Sequence, residues 1–260
     1  MADTLANAVP PPFKLDTGTA ISLGIAFSLM PLAQGLAAAV LPSTTPRKYY
    51  GLFLWHAYGM GLTQRTYPSR YTDPCCSLDF LTHFLIEGSF LYHCFFSYVQ
   101  LAVTEGSEPS RGGSQTLVLF DRPDRRYGAF YSSGPMARLW AEYAKADSRW
   151  GGADLMVISI ELITVFLDGP GAVYICYLIA KIANGKEAAL RGQYQARLWF
   201  VAIVVATLEL VGGFYTFAPE WLSGNHSLAG DDPVYLWLYL VFFNMLCMCQ
   251  SVSAKLILTT

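Results

Sequence analysis

The stretch DFLTHFLIEGSFLYH, residues 79–93, decides the fold. Most of it is apolar, yet Asp79, His83 and Glu87 recur at i, i+4 and i+8, which is one stripe of a helix. A soluble amphipathic helix would carry a wide polar face, and here the rest of the circumference is Phe, Leu, Ile and Tyr. The pattern therefore predicts a membrane-embedded helix with a narrow polar seam. A charge in mid-bilayer costs roughly 2.5–3.5 kcal/mol on insertion scales, so such a seam faces a cavity or a partner.

Composition agrees. The 260 residues are 53% hydrophobic and 14% charged, with a mean hydropathy of +0.35, where a soluble domain carries roughly 25% charged residues. Aromatic residues reach 15%, which suits interfacial belts and an apolar cavity, and the net charge of −2 gives no reason to expect nucleic acid as a partner. A spanning helix needs about 20 mainly apolar residues. Five segments meet that need: 19–41, 77–101, 155–182, 198–217 and 234–254. The expected fold is all-α, a polytopic bundle of five transmembrane helices around an intramembrane ligand cavity. Residues 1–18 form a tail without signal-peptide character, and 19–260 form a single membrane domain. The short apolar stretch 50–62 either lies along the interface or re-enters. Of the two long connections, 43–76 and 102–154, the second starts with the Gly/Ser-rich TEGSEPSRGGSQ and ends with LWAEYAKADSRW, expected to be an amphipathic helix at the membrane surface.

With five spans, Arg47, Lys48, Arg65, Arg70, Lys186, Arg191, Arg197 and Lys255 fall on one side, which the positive-inside rule makes cytoplasmic. The basic 102–154 connection falls on the other side and opposes that assignment. The six cysteines (75, 76, 94, 176, 247 and 249) show no metal or CxxC spacing and are expected to be reduced, small buried hydrophobes.

Polar groups recur in the other spans. Glu161, Thr164 and Asp168 form an i, i+3, i+7 stripe on the third, and Glu209 and Asn244 add single groups on the fourth and fifth. Buried carboxyls can hold protons near neutral pH, and histidine titrates in the same range. This set suits acid–base work in a dry pocket: one group protonates a double bond, a second removes a proton elsewhere, and aromatic faces or an amide oxygen steady the cation between. Each residue also has a plainer reading. Glu87 satisfies His83, Asp79 reaches the interface, Asp168 caps a helix break at Gly169-Pro170, Glu209 ties neighbouring helices, His93 packs, and the aromatic residues of the fifth span serve core and lipid contact. His83, Glu87, Glu161 and Asp168 could in principle form an N/O metal site, but no HExxH or His-rich pattern supports one. Asp231-Asp232 lacks the aspartate-rich helical context of a Mg-diphosphate site. No metal and no cofactor are expected, and protonation is the way to start a cationic reaction.

Four segments resemble the emopamil-binding-protein (EXPERA) family, which includes the sterol Δ8–Δ7 isomerase. His83-Phe-Leu-Ile-Glu87-Gly88 is similar to its second-span motif. Leu139 to Arg149, LWAEYAKADSR, followed by Asp154, resembles its most specific signature. Glu161-Leu-Ile-Thr164 with Gly169-Pro170 resembles the third-span motif, and Pro233 to Asn244 the fifth. The likeness runs in order over about 77–255. It implies a five-helix protein of the endoplasmic reticulum with a sterol or terpenoid substrate, bound among membrane lipid; a homodimer is also allowed. It matches His83, Glu87 and Glu161 to acid–base groups and Thr164 and Asn244 to their polar neighbours. It places Trp140, Tyr143, Asp147 and Arg149 in a segment that closes the cavity. The chain departs from the isomerase where Cys247 and Asp168 replace tryptophans, where Glu209 replaces a glutamine, and in an insertion around 102–135. The candidate catalytic groups are thus His83, Glu87, Glu161 and Asp168, and the candidate substrate contacts are Thr164, Asn244, Tyr143, Trp140, Glu209 and Cys247. Two activities use such groups: double-bond migration in a sterol and protonation-initiated cyclisation of a terpenoid. A non-catalytic sterol- or amphiphile-binding protein is the alternative, motivated by the same departures. A proton-coupled transporter is disfavoured, because the sequence shows no inverted repeat.

Overall fold

The structure is a computed structural model, and it describes residues 12–46, 49, 79–101, 119–184 and 190–244. Its elements in chain order are α1 (Thr17–Val40), α2 (Asp79–Leu81), a π-turn π1 (Thr82–Glu87), α3 (Gly88–Phe96), β1 (Tyr98–Gln100), β2 (Arg125–Tyr127), α4 (Pro135–Tyr143), α5 (Leu155–Ile163), a π-turn π2 (Thr164–Asp168), α6 (Gly169–Asn184), α7 (Arg191–Ser223) and a π-helical run π3 (Tyr235–Phe242). The protein is mainly helical. Three helices among the described residues are long and apolar enough to cross a membrane: Thr17–Val40, Leu155–Asn184 and Arg191–Ser223.

Local chemistry sets the ends of these elements. Asp16 caps α1, its Oδ1 accepting the Thr19 N–H at 2.8 Å. Asp154 caps α5 by accepting from the N–H groups of Met156 and Val157 at 2.9 and 3.0 Å. Pro135 opens α4, where its missing N–H has no helical partner to lose. α7 stops at Gly224, whose φ of 99° only glycine adopts without strain, and the Gly224 and Asn225 N–H groups return to the Glu220 carbonyl.

Several expected boundaries shift. The second span, expected to reach residue 101, ends at Phe96: the Ser97 hydroxyl engages His93 Nδ1 at 2.7 Å, and the following Tyr-Val-Gln pairs as β1 with β2. The register is antiparallel, Tyr98 to Tyr127, Val99 to Arg126 and Gln100 to Arg125. This small ribbon departs from the all-α expectation. The surface helix is also shorter than LWAEYAKADSRW, ending at Tyr143 before a separate turn at Ser148–Trp150 capped by Asp147. α7 exceeds the expected 198–217 at both ends; its 33 residues run about 50 Å, well beyond a hydrocarbon core of about 30 Å. The stretch 50–62, Cys75, Cys76, Cys247, Cys249, Lys186 and the fifth span beyond Asn244 lie outside the described residues, while Cys94 and Cys176 are buried thiols outside any disulfide, as expected.

The chain divides into two compact units. One comprises Met1–Ile25, Gly88–Glu161 and Tyr215–Val241. Its centre is aromatic. Trp140 and Trp150 stack at 4.9 Å and 8°, Phe90 packs on both, and Tyr235, Tyr239 and Phe217 form a second cluster with Ala146. The other comprises Ala26–Glu87, Leu162–Phe214 and Phe242–Thr260. Its core joins α1, α6 and α7 through Ala33, Ala37, Ile175, Ile179, Leu198, Ala202 and Val205. Lipid is as apolar as leucine, so helices gain by close approach, which small residues permit. Ala33 and Ala37, one turn apart, are fully buried. At Gly171, a Cβ would lie 2.6 Å from Val205 Cγ2, so α6 and α7 meet where glycine leaves room.

Candidate functional site

Pro170 explains the shape of span three. A proline inside a helix loses its N–H bond and its ring collides with the carbonyl four residues back, here that of Phe166. The turn just before it widens: π2 occupies Thr164–Asp168, and the Gly169 N–H reaches back five residues to the Thr164 carbonyl. The helix is therefore continuous to Asn184, and the reading of Asp168 as the cap of a helix break is corrected. The expected stripe is buried throughout: Glu161 is 4% exposed, Thr164 8% and Asp168 0%. Phe166 and Leu167 point outward.

Span two carries its own wide turn, and π1 includes both His83 and Glu87. In the unit of 26–87 and 162–214, His83 is buried. Its Nδ1 lies 2.5 Å from Glu87 Oε2, and its Nε2 lies 3.4 Å from Glu209 Oε1 on α7. Both ring nitrogens thus face carboxylates. The π-turns pack together: a Cβ on Gly169 would stand 3.1 Å from Phe84 Cζ and 3.4 Å from His83 Cβ. Thr164 and Asp168 belong to the same unit, as does half-buried Asn244. Cys247 lies outside the described residues.

Glu161, Trp140 and Tyr143 belong to the other unit. Trp140 is largely committed to packing: its indole N–H donates to Ser89 Oγ at 2.9 Å. The Tyr143 hydroxyl donates to the Tyr239 carbonyl at 3.4 Å. Asp147 accepts from Arg149 at 2.6 and 2.9 Å and from the Trp150 indole at 3.1 Å. Glu220 approaches Arg149 at 3.7 Å and accepts the Ser227 N–H at 2.8 Å. Burial pushes the Asp147 carboxyl up, against the pull of Arg149. Burial also opposes the Arg149 charge, but Asp147, Glu220 and Asp154 together offset it and hold the guanidinium above its ordinary value.

Two acids in this unit were not among the expected site residues. Glu142 is buried, accepting from Lys145 at 2.6 Å and from the Tyr239 hydroxyl at 3.3 Å. Its i, i+3 spacing to Lys145 was the available signal. Glu220 follows Pro219 at the end of a span and has no periodic partner in the sequence.

Comparison with known proteins adds to this geometry. Residues 135–250 match the model of EXPERA, the expanded EBP superfamily. The resemblance carried by the motifs is borne out. That match includes Trp140, Tyr143, Glu161, Thr164, Asp168, Glu209, Asn244 and Cys247, and begins after His83 and Glu87. The 3-beta-hydroxysteroid-Delta(8),Delta(7)-isomerase of Cavia porcellus is 32% identical over 111 residues, 43% of each chain. A probable isomerase of the same name from Oryza sativa subsp. japonica is 24% identical over 215 residues, 83% of this chain and 78% of that one. Protoglabretal synthase of Ailanthus altissima is 28% identical over 104 residues, 40% of this chain and 42% of its own. The chain thus spans under half the length of the guinea-pig isomerase and the Ailanthus synthase.

Proposed function

We propose that the protein is an intramembrane isomerase or cyclase. It protonates an alkene or epoxide of a sterol or terpenoid, passes through a carbocation and removes a proton elsewhere. The observation that carries the reading is the buried His83, bonded to Glu87 and facing Glu209 within apolar helices. A proton-sharing set in such surroundings suits general acid–base chemistry on an apolar substrate. The relatives named as isomerases and as a synthase support the same reading.

In this account His83 and Glu87 form one acid–base group, Glu161 supplies a second, and Asp168 is a further candidate catalytic group. Thr164 and Asn244 steady the cation with oxygen dipoles, and Cys247 is a further candidate substrate contact. Trp140 and Tyr143 belong to the segment that closes the cavity and excludes water. No cofactor takes part. The setting is a single membrane domain over 19–260, with an EXPERA-like core at about 77–255, built as a five-helix bundle of the endoplasmic reticulum. It works on its substrate among membrane lipid, with a homodimer allowed.

The test is turnover in heavy water. Deuterium should enter the product of the wild-type protein, and Glu161→Gln should abolish turnover while binding of a cationic amphiphile persists. A wild-type protein that binds such ligands but never incorporates deuterium would make it a binding module.

A further inference from the structure

We propose that Glu209 is a positioning residue for His83, and that Glu87, His83 and Glu209 act as one proton-sharing unit. What the unit does to substrate rests on the isomerase or cyclase reading; the pairing itself does not.

The argument begins with donors and acceptors. A neutral imidazole offers one N–H and one bare nitrogen, and an ionised carboxylate only accepts. His83 has a carboxylate oxygen at each nitrogen, Glu87 Oε2 at 2.5 Å and Glu209 Oε1 at 3.4 Å. To bond both, the three groups must share two protons, one on each nitrogen–oxygen line. Either His83 is an imidazolium between two carboxylates, or it is neutral and one carboxyl carries the proton. Both arrangements hold the same two protons and differ only in where they sit.

The two lines differ in strength. A charge-assisted N–H···O bond spans about 2.7–2.9 Å, so the Glu87 line is tight and the Glu209 line is loose. Glu87 holds the ring in place on its own π-turn. Glu209 reaches in from α7, and its side chain is 2% exposed. As the acceptor at Nε2 it holds a proton on that nitrogen, while Glu87 backs the ring at Nδ1. The loose line is the one that opens toward an incoming acceptor. Delivery of one shared proton to an alkene carbon or epoxide oxygen leaves one proton among the three groups. The second acid–base group takes the proton later lost from the cation, and proton exchange with solvent after turnover resets both sets, so no net reactant is consumed. On the turn packed against His83, Asp168 is the remaining titratable group of the candidate set in this unit.

The experiment compares the full-length protein with Glu209→Gln in detergent micelles. Histidine C2–H deuterium exchange, read by mass spectrometry across pH, needs no turnover. The rate at His83 at a fixed pH should change about tenfold, the equivalent of one pH unit, while His93, bonded to Ser97, stays as in the wild type. With substrate, kcat should fall about 10–100-fold, as when a supporting partner is lost, with KM within about twofold. Unchanged His83 exchange overturns the proposal. A raised KM with unchanged kcat also overturns it, since Glu209 would then be a substrate contact. A shifted exchange curve in a protein that turns over no isoprenoid sustains the pairing and defeats the functional reading. If the Gln variant does not fold, Glu209→Asp retains the charge on a shorter arm. It should give intermediate values, and full wild-type behaviour would count against the pairing.

Discussion

His83 owes its setting to two carboxylates on different helices, only one of which its own stripe contains. Glu87→Gln keeps the shape but removes the acid. Turnover should fall about 10²-fold or more, with the melting point in detergent little changed, because the amide still bonds the ring. Arg149→Ala tests a different kind of residue. It strands Asp147, which is 1% exposed, and loss of one partner of a buried pair costs about 3–5 kcal/mol. A steep drop in thermal midpoint is expected, and a shift of less than a degree or two would show that the pair is dispensable. Glu161 and Asp147 are both buried acids near motif residues; the first is proposed for chemistry, and the second holds a turn together through Arg149 and Trp150.

Among the elements, the π-turns shape both polar stripes. π1 carries His83 and Glu87, and π2 absorbs the bond that Pro170 cannot make. Hydropathy does not register them, since a wide turn has the same composition as a tight one. Close helix contacts are equally invisible until partners are known. Gly171→Ala drives a methyl into Val205, whose branched Cβ leaves it little freedom. The variant should lose about 1–3 kcal/mol and regain part of it with Val205→Ala, measured by melting in detergent. The entry to the fifth span has a pH dependence of known sign. Asp232 accepts from the Phe13 N–H first, then from Val234 and Tyr235, and these bonds hold its carboxyl below the ordinary range. Its contribution is therefore full above the unfolded value of about 3.9 and lost only as pH falls through the lower folded value. Protection of the Phe13 amide, its exchange rate relative to the intrinsic rate at the same pH, should hold down to about pH 5 and fall only in stronger acid, whereas in Asp232→Ala it should be low already at neutral pH.

At the scale of the whole molecule, the three helices of spanning length among the described residues and the match to the EXPERA model mark an integral membrane protein. The five-span proposal has its own consequence: an odd number puts the chain ends on opposite sides. Glycosylation or protease reporters fused to the N- and C-termini should report opposite compartments, and the same compartment for both would require an even count, most simply a sixth span at 50–62.

The sequence by itself determined the class of the protein, the register of the Glu161/Thr164/Asp168 stripe and the family resemblance. Those follow from composition and from periodicity along one chain, where a charge inside an apolar run has few explanations. Only the tertiary structure decided that Glu209 of α7 faces His83, that Pro170 widens a turn without breaking the helix, and that Asp147 and Glu220 flank Arg149. Each depends on atoms far apart in sequence coming within a few ångströms, and no spacing along the chain encodes which residue of another helix will be there. The seam of polar groups in residues 79–93 announced a partner, and the fold supplied it at Glu209.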